Sequence, residues 1–128
     1  MSLPPRALVV DDNALNSRLV AVLLQRLGWE SETVGEGEQA LQRLRRQAFD
    51  MVLLDLRMPC VNGEEVCRRI REELELRELP VIAYTAHSMP EERARILAAG
   101  FSGQLIKPIS FGDVRELCEQ FAPAQRAG

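Results

Sequence analysis

The sequence predicts an α/β domain in which five parallel strands alternate with five helices. Three observations carry this. Ala7–Val10, Met51–Leu54 and Pro80–Tyr84 are short apolar runs without alternation, as strands buried on both faces of a sheet require. Segments of helical periodicity separate them, which is the order that generates right-handed crossovers and a helix-covered parallel sheet. Four of the five strands end on polar groups: Asp11 and Asp12, Asp55, Thr85, and Lys107.

The elements follow in order. Ala7–Val10 runs into Asp11-Asp12-Asn13, and Leu15, Leu19, Val22, Leu23 and Leu27 then recur at helical spacing toward a capping Gly28. Trp29–Val34 is polar and weakly alternating, as suits an edge strand. Gly35-Glu36-Gly37 interrupts it, and Ala40, Leu41, Leu44 and Ala48 mark the second helix. After Asp55, Pro59 and Gly63 mark a loop, and Val66, Ile70 and Leu74 mark the third helix, with Arg68, Arg69 and Arg71 on its solvated side. Ser88-Met89-Pro90-Glu91 has capping-box spacing ahead of a fourth helix packed through Leu97 and Ala98 and stopped by Gly100. Gln104-Leu105-Ile106 forms the last strand, and Ser110 caps a fifth helix through Val114, Leu117, Cys118 and Phe121. Residues 6–121 are expected to form the domain, with 1–5 and 122–128 as flexible ends or linker.

At 128 residues the chain suits one domain with a substantial core. Its net charge of −3 gives no basic footprint for nucleic acid or an anionic membrane. No apolar stretch approaches the roughly 20 residues of a membrane span, and no signal-peptide pattern is present. Cys60, Cys67 and Cys118 form no C-x-x-C pair and read as reduced thiols of a cytoplasmic protein, with Cys67 and Cys118 as small core residues. The chain holds fifteen arginines but one lysine, Lys107, so an ammonium is needed at that place or the lysine is a stray of composition. Its single histidine, His87, leaves no room for a phosphohistidine elsewhere.

In a parallel sheet the carboxyl ends of the strands share one edge, the usual place for a site. Carboxylates gathered there repel: at an effective dielectric near 20, a pair 4 Å apart costs on the order of 4 kcal/mol. Such a cluster holds protons or binds a cation, and hard oxygen ligands with room for water suit Mg²⁺. With Lys107 and Thr85 opposite, the arrangement fits a phosphoryl group, and a carboxylate nucleophile gives an aspartyl phosphate. Asp55, on the most buried strand, is the expected nucleophile.

Val9-Val10-Asp11-Asp12-Asn13, Leu53–Gly63, Ala83-Tyr84-Thr85-Ala86 and Lys107-Pro108 together resemble the receiver domain of two-component response regulators. The Asp-Asp-Asn opening, with Asn16 after it, is more like receivers attached to hybrid sensor kinases. The resemblance implies a flavodoxin-like fold with strand order 2-1-3-4-5, a fold for which a family member is a standing example. It implies that Asp55 accepts a phosphoryl group from a histidine kinase or histidine phosphotransfer domain, with a kinase or output domain possible on the same chain. Asp11 and Asp12 would hold Mg²⁺, with Asp12, Asp55 and the Arg57 backbone carbonyl as direct ligands. Thr85 would bond a phosphoryl oxygen, Lys107 would pair with it, and Ala86 and Pro108 would flank the site. The Lys107–Pro108 peptide is commonly cis in the family. Gln104 departs from the pattern, standing where the family usually has Tyr or Phe, which puts coupling to the face of helix four, strand five and helix five in question. Arg57 and His87 flank the site where the lifetime of an acyl phosphate is set.

Three other readings compete. Gly35-Glu36-Gly37-Glu38-Gln39-Ala40 is a literal G-x-G-x-x-A with Asp55 20 residues beyond Gly35, as in a dinucleotide fingerprint. Against it, Glu36 and Glu38 would lie beside the pyrophosphate, and the preceding strand is polar. A phosphatase using the same nucleophile favours a second Asp where Arg57 stands. A pseudo-receiver, acting only through protein interactions, would not require the intact Asp11, Asp12, Asp55, Thr85 and Lys107 set.

Overall fold

The computed structural model describes residues 4–56, 62–85 and 89–122. The strands are β1 (Arg6–Val10), β2 (Glu30–Val34), β3 (Met51–Asp55), β4 (Val81–Thr85) and β5 (Gly103–Ile106). They alternate with α1 (Ala14–Arg26), α2 (Gly37–Arg46), α3 (Gly63–Glu72), α4 (Pro90–Ala98) and α5 (Phe111–Phe121). All strand pairs are parallel, in the order β2-β1-β3-β4-β5, as expected. Every residue of β3 and β4 is buried, whereas β2 pairs on one side only and is half exposed. This explains the apolar runs and the polar edge.

Side chains alternate across a strand with period two, and the two cores follow that parity. Leu8 and Val10, Val52 and Leu54, and Val81 and Ala83 face α2, α3 and α4, where Leu41, Ile70 and Ile96 meet them. Ala7 and Val9, Met51 and Leu53, Ile82 and Tyr84, and Leu105 face α1 and α5, meeting Val20, Leu24 and Val114. Cys67 and Cys118 are buried one in each core, and burial pushes both thiols up to about 11, so they act as small apolar residues. Cys60 lies outside the described residues.

Several local expectations hold. Gly28 follows α1 at φ +85°, Pro90 opens α4, and Ser110 caps α5 by accepting from the Asp113 N–H at 3.1 Å. Others are corrected. On α1 the buried residues are Ser17, Val20, Leu23 and Leu24, while Leu15, Leu19 and Val22 are exposed on the opposite side. Apolar residues occupy both sides of this helix, so periodicity alone does not choose the packed one. On α4, Leu97 is 66% exposed and Ala98 is also exposed; Ile96 and then Ala99 fill the core. Met89 is the residue that precedes α4 as its cap, without a side-chain hydrogen bond, and Ser88 lies outside the described residues. Ala48 is exposed beyond the end of α2, because Gln47 is already extended, and Phe49 is buried in its stead.

Arg71 is not merely solvated. Its guanidinium donates to the carbonyls of Gly100, Leu76 and Leu79 at 2.6–3.0 Å and to Ser102 Oγ at 3.2 Å, tying the end of α3 to two loops. Gly63 does more than punctuate a loop, since it is the first residue of α3, capped by the Asn62 side chain. A Cβ there would lie 2.8 Å from Leu56 Cδ2, 3.1 Å from Leu56 Cα and 3.2 Å from the Asp55 carbonyl.

Gly63→Ala therefore forces the start of α3 away from the end of β3. Urea denaturation should show a loss of about 1–2 kcal/mol despite the better helix propensity of alanine, whereas Gly35→Ala, with open space around it, should change stability by less than about 0.5 kcal/mol.

Candidate functional site

The site forms where the strands stop. Val10 pairs with Leu54, Asp55 with Tyr84, and Thr85 with Ile106, so the residues at or just past each strand end lie side by side. Backbone bonds carry the register to the rim: Asp11 N–H donates to the Val34 carbonyl, Leu56 N–H to the Tyr84 carbonyl, and Lys107 N–H to the Thr85 carbonyl.

Parity then sorts the side chains. Asp11, Asp55 and Lys107 continue the alternation of Val9, Leu53 and Leu105, so they emerge on the α1 and α5 side. Thr85 continues the alternation of Val81 and Ala83 and emerges on the α4 side. One rim therefore presents three charged groups on one side and a hydroxyl on the other.

The carboxylates of Asp11, Asp12 and Asp55 offer ligand atoms that all lie within 4.8 Å of one another. Asp11 and Asp55 are each 3% exposed, while Asp12 faces solvent. Asp11 Oδ1 accepts from the Asn13 N–H at 2.9 Å. Its Oδ2 is buried without a hydrogen-bond partner among the described residues. A buried carboxylate oxygen with no donor is costly. Burial, with the neighbouring Asp55 charge adding to it against the opposing Asn13 N–H, pushes the Asp11 carboxyl up to about 6. Oxygen donors of this kind, one of them open to water, suit a hard divalent cation.

Lys107 Nζ lies 3.4 Å from Asp55 Oδ2 and 3.5 Å from Oδ1, distances long for a hydrogen bond but close for two opposite charges. It also sits 4.5 Å from the centre of the Tyr84 ring. Burial and the Asp11 and Asp55 charges push the Tyr84 phenol up to about 12, so the ring is a neutral floor for the ammonium. Tyr84 lies between Asp55 and Lys107 in the sheet, and its role was hidden in the sequence by its apolar neighbours. Thr85 Oγ1 donates to Glu92 Oε1 on α4 at 3.1 Å.

Asp11, Asp12, Asp55 and Lys107 are thus brought together, and Thr85 stands at the same rim facing α4. The Lys107–Pro108 peptide is cis, and Pro108 is exposed beside the lysine. Gln104 is half buried on β5, two residues before Ile106. Arg57, Ala86 and His87 lie outside the described residues. The Gly35-Glu36-Gly37 segment leads into α2 from edge strand β2, with Glu36 at the helix cap, away from a central strand.

The chain is thus a doubly wound α/β domain with three acids and one lysine gathered at its strand tips, the rim where such folds bind ligands. Comparison with known proteins narrows this class. The family model for the response regulator receiver domain matches residues 7–119. The polar-differentiation response regulator DivK of Brucella anthropi is 36% identical over 108 residues, covering 84% of this chain and 88% of DivK. The signal transduction histidine-protein kinase BarA of Shigella flexneri is 35% identical over 116 residues, covering 91% of this chain but only 13% of the kinase. Among solved structures, the receiver domain of sensor histidine kinase PA1611 from Pseudomonas aeruginosa PAO1 matches with TM-score 0.84 and 30% identity. That match covers 93% of this chain and 98% of the other, which holds a magnesium ion coordinated in its active-site cleft. This chain belongs to the response regulator receiver domain family of two-component signalling. It resembles in particular the receivers of hybrid sensor histidine kinases, of which it spans a small part.

The raised Asp11 carboxyl has a consequence for stability. Above pH 6 folding buries its charge at a penalty, whereas between about 4 and 6 the native state holds a proton that the unfolded chain has lost. Metal-free stability from this group therefore falls as pH rises through 6. Asp11→Asn should be more stable than the parent by about 2 kcal/mol at pH 7.5 without divalent ions, and the difference should vanish near pH 4 in chemical denaturation.

Proposed function

We propose that this domain is the phosphoacceptor of a phosphorelay, taking a phosphoryl group from a partner's phosphohistidine onto Asp55. The observation that supports this most is the buried Asp11 oxygen, which has no hydrogen-bond partner among the described residues, beside Asp12 and Asp55, with Lys107 facing Asp55. A divalent ion would satisfy such a cluster, and Mg²⁺ is the cofactor we assign; Asp12 and Asp55 would hold it, with Asp11 behind them and, as the family resemblance implies, the Arg57 backbone carbonyl as a further ligand. Bound there, it would neutralise phosphoryl oxygens in the transition state.

The chain's own groups divide the remaining work. A carboxylate oxygen of Asp55 attacks phosphorus in line, the phosphorus–nitrogen bond of the donor breaks, and its electron pair leaves on the imidazole. Lys107, fixed between Asp55 and the Tyr84 ring, turns its ammonium from the carboxylate to the incoming phosphoryl oxygens. Thr85 donates its hydroxyl to another. To Arg57 and His87, two residues beyond Asp55 and Thr85 in the sequence, we assign the lifetime of the acyl phosphate. The domain assists its own phosphorylation and dephosphorylation without turning over a separate substrate.

The donor is a histidine kinase or a histidine phosphotransfer domain, in trans or on the same chain. Leu15, Leu19 and Val22 favour docking against the α1 face: they form an apolar stripe at i, i+4 and i+7, exposed by 79%, 45% and 47%, starting three residues after Asp12. A helix carrying phosphohistidine and laid on that stripe would reach Asp55. Among the described residues no helix is long and apolar enough to cross a membrane, and we place the domain in the cytoplasm with its kinase.

Acetyl phosphate with Mg²⁺ should add one phosphoryl group to the intact protein by mass spectrometry; chelation or Asp55→Asn should abolish the addition. A mass that never changes would leave the pseudo-receiver reading. Leu19→Glu should slow transfer from a phosphorylated histidine phosphotransfer protein by about tenfold or more while leaving the acetyl phosphate rate unchanged.

A further inference from the structure

A hydroxyl has one proton to donate, and in this structure the Thr85 hydroxyl gives it to Glu92. Thr85 is 3% exposed at the end of β4, and Glu92 lies half buried in the first turn of α4, seven residues on. We propose that Glu92 is a positioning residue for phosphoryl transfer: it holds the Thr85 hydroxyl on the α4 side until a phosphoryl oxygen displaces it, and its release reports the phosphoryl group to α4. This rests on the phosphoacceptor reading of Asp55.

Three features of the molecule carry the inference. The first is competition for the hydroxyl proton. The same proton cannot serve Glu92 Oε1 and a phosphoryl oxygen near Asp55, because strand parity puts these acceptors on opposite sides of the β4 tip. The competition is therefore between two states, and any acceptor that stabilises one lowers the apparent affinity for the ligand of the other.

The second is the attachment of α4, to which among the described residues the Thr85–Glu92 bond contributes at the first turn and a long, largely exposed Arg95–Glu64 contact of 3.9 Å contributes toward α3. Ile96 is the one buried residue within the helix among the described residues, and Leu97 and Met89 are exposed. Its first turn, where Glu92 sits, is held to the sheet rim through Thr85. Loss of that bond leaves a half-buried carboxylate without its donor, and the turn can move to hydrate it.

The third is Gln104. Where the family resemblance implies an aromatic ring, β5 carries the half-buried amide of Gln104, which offers no ring to convey a displacement of Thr85. A carboxylate that grips the same hydroxyl from α4 supplies a route that needs no ring.

Binding of beryllofluoride, a phosphoryl mimic, with Mg²⁺ tests this by calorimetry on the whole chain. Removing one acceptor of this kind corresponds to about three- to tenfold in an equilibrium, so Glu92→Ala should bind the mimic that much more tightly than the parent. Glu92→Gln, which keeps a neutral oxygen acceptor and the same shape, should fall between them. In a Thr85→Ala background, Glu92→Ala should change the affinity by less than about 1.5-fold, since the two act through one bond. Backbone amide resonances of α4 in unliganded Glu92→Ala should move toward those of the mimic-bound parent. Equal affinities in parent, Glu92→Gln and Glu92→Ala would overturn the proposal, as would the same gain with and without the Thr85 hydroxyl. A parent protein that binds no mimic at all would instead overturn the phosphoacceptor reading beneath it.

Discussion

Mutual repulsion of carboxylates at the tips of β1 and β3 is the constraint on which the rest of the site depends. Asp11 and Asp55 are buried side by side, Asp12 closes on them from solvent, and one Asp11 oxygen has no donor among the described residues. Evolution toward stability alone would replace Asp11 with an amide or an apolar residue, since burial has already pushed its carboxyl up to about 6. A divalent cation, as we propose for this site, would offset that cost. Lys107 relieves part of it by facing Asp55, and the neutral ring of Tyr84 keeps that ammonium in place without competing for it.

The sheet does the positioning with one rule, the alternation of side chains. The parity that sends Val9, Leu53 and Leu105 toward α1 and α5 sends Asp11, Asp55 and Lys107 there too. Thr85 has the other parity and meets α4. The rim is thus divided into a charged half, where we propose that the ion and phosphoryl group bind, and a second half, where among the described residues the Thr85 hydroxyl bonds Glu92 at the first turn of α4. Gly63 locks the geometry from below, because only a residue without a Cβ lets α3 start against the end of β3.

Much of this is legible in the sequence. Buried parallel strands need unbroken apolar runs, so β1, β3 and β4 and the polar groups that end them stand out, and the spacing of the acids, threonine and lysine resembles the receiver family. Side-chain choices on the helices are less legible. The exposed stripe of Leu15, Leu19 and Val22 has the same periodicity as a core face, and hydropathy does not distinguish burial in a fold from burial against a partner. Leu97 misleads for the same reason, its neighbour Ile96 taking the core. Arg71 carries the composition of a solvated residue, yet its planar donors gather three carbonyls that come together only in the folded chain. Tyr84 under Lys107 and Glu92 against Thr85 are likewise products of topology, the first a cross-strand contact and the second the result of how α4 leaves the sheet.

Proton release on Mg²⁺ binding tests the central claim most directly, because it reads the crowded acids without reference to phosphorylation. Calorimetric titration at pH 6 in two buffers of different ionisation enthalpy should show one ion bound per chain with about half a proton expelled, falling toward zero at pH 8. Binding that expels no proton at pH 6, or no binding at millimolar Mg²⁺ at either pH, would contradict the account.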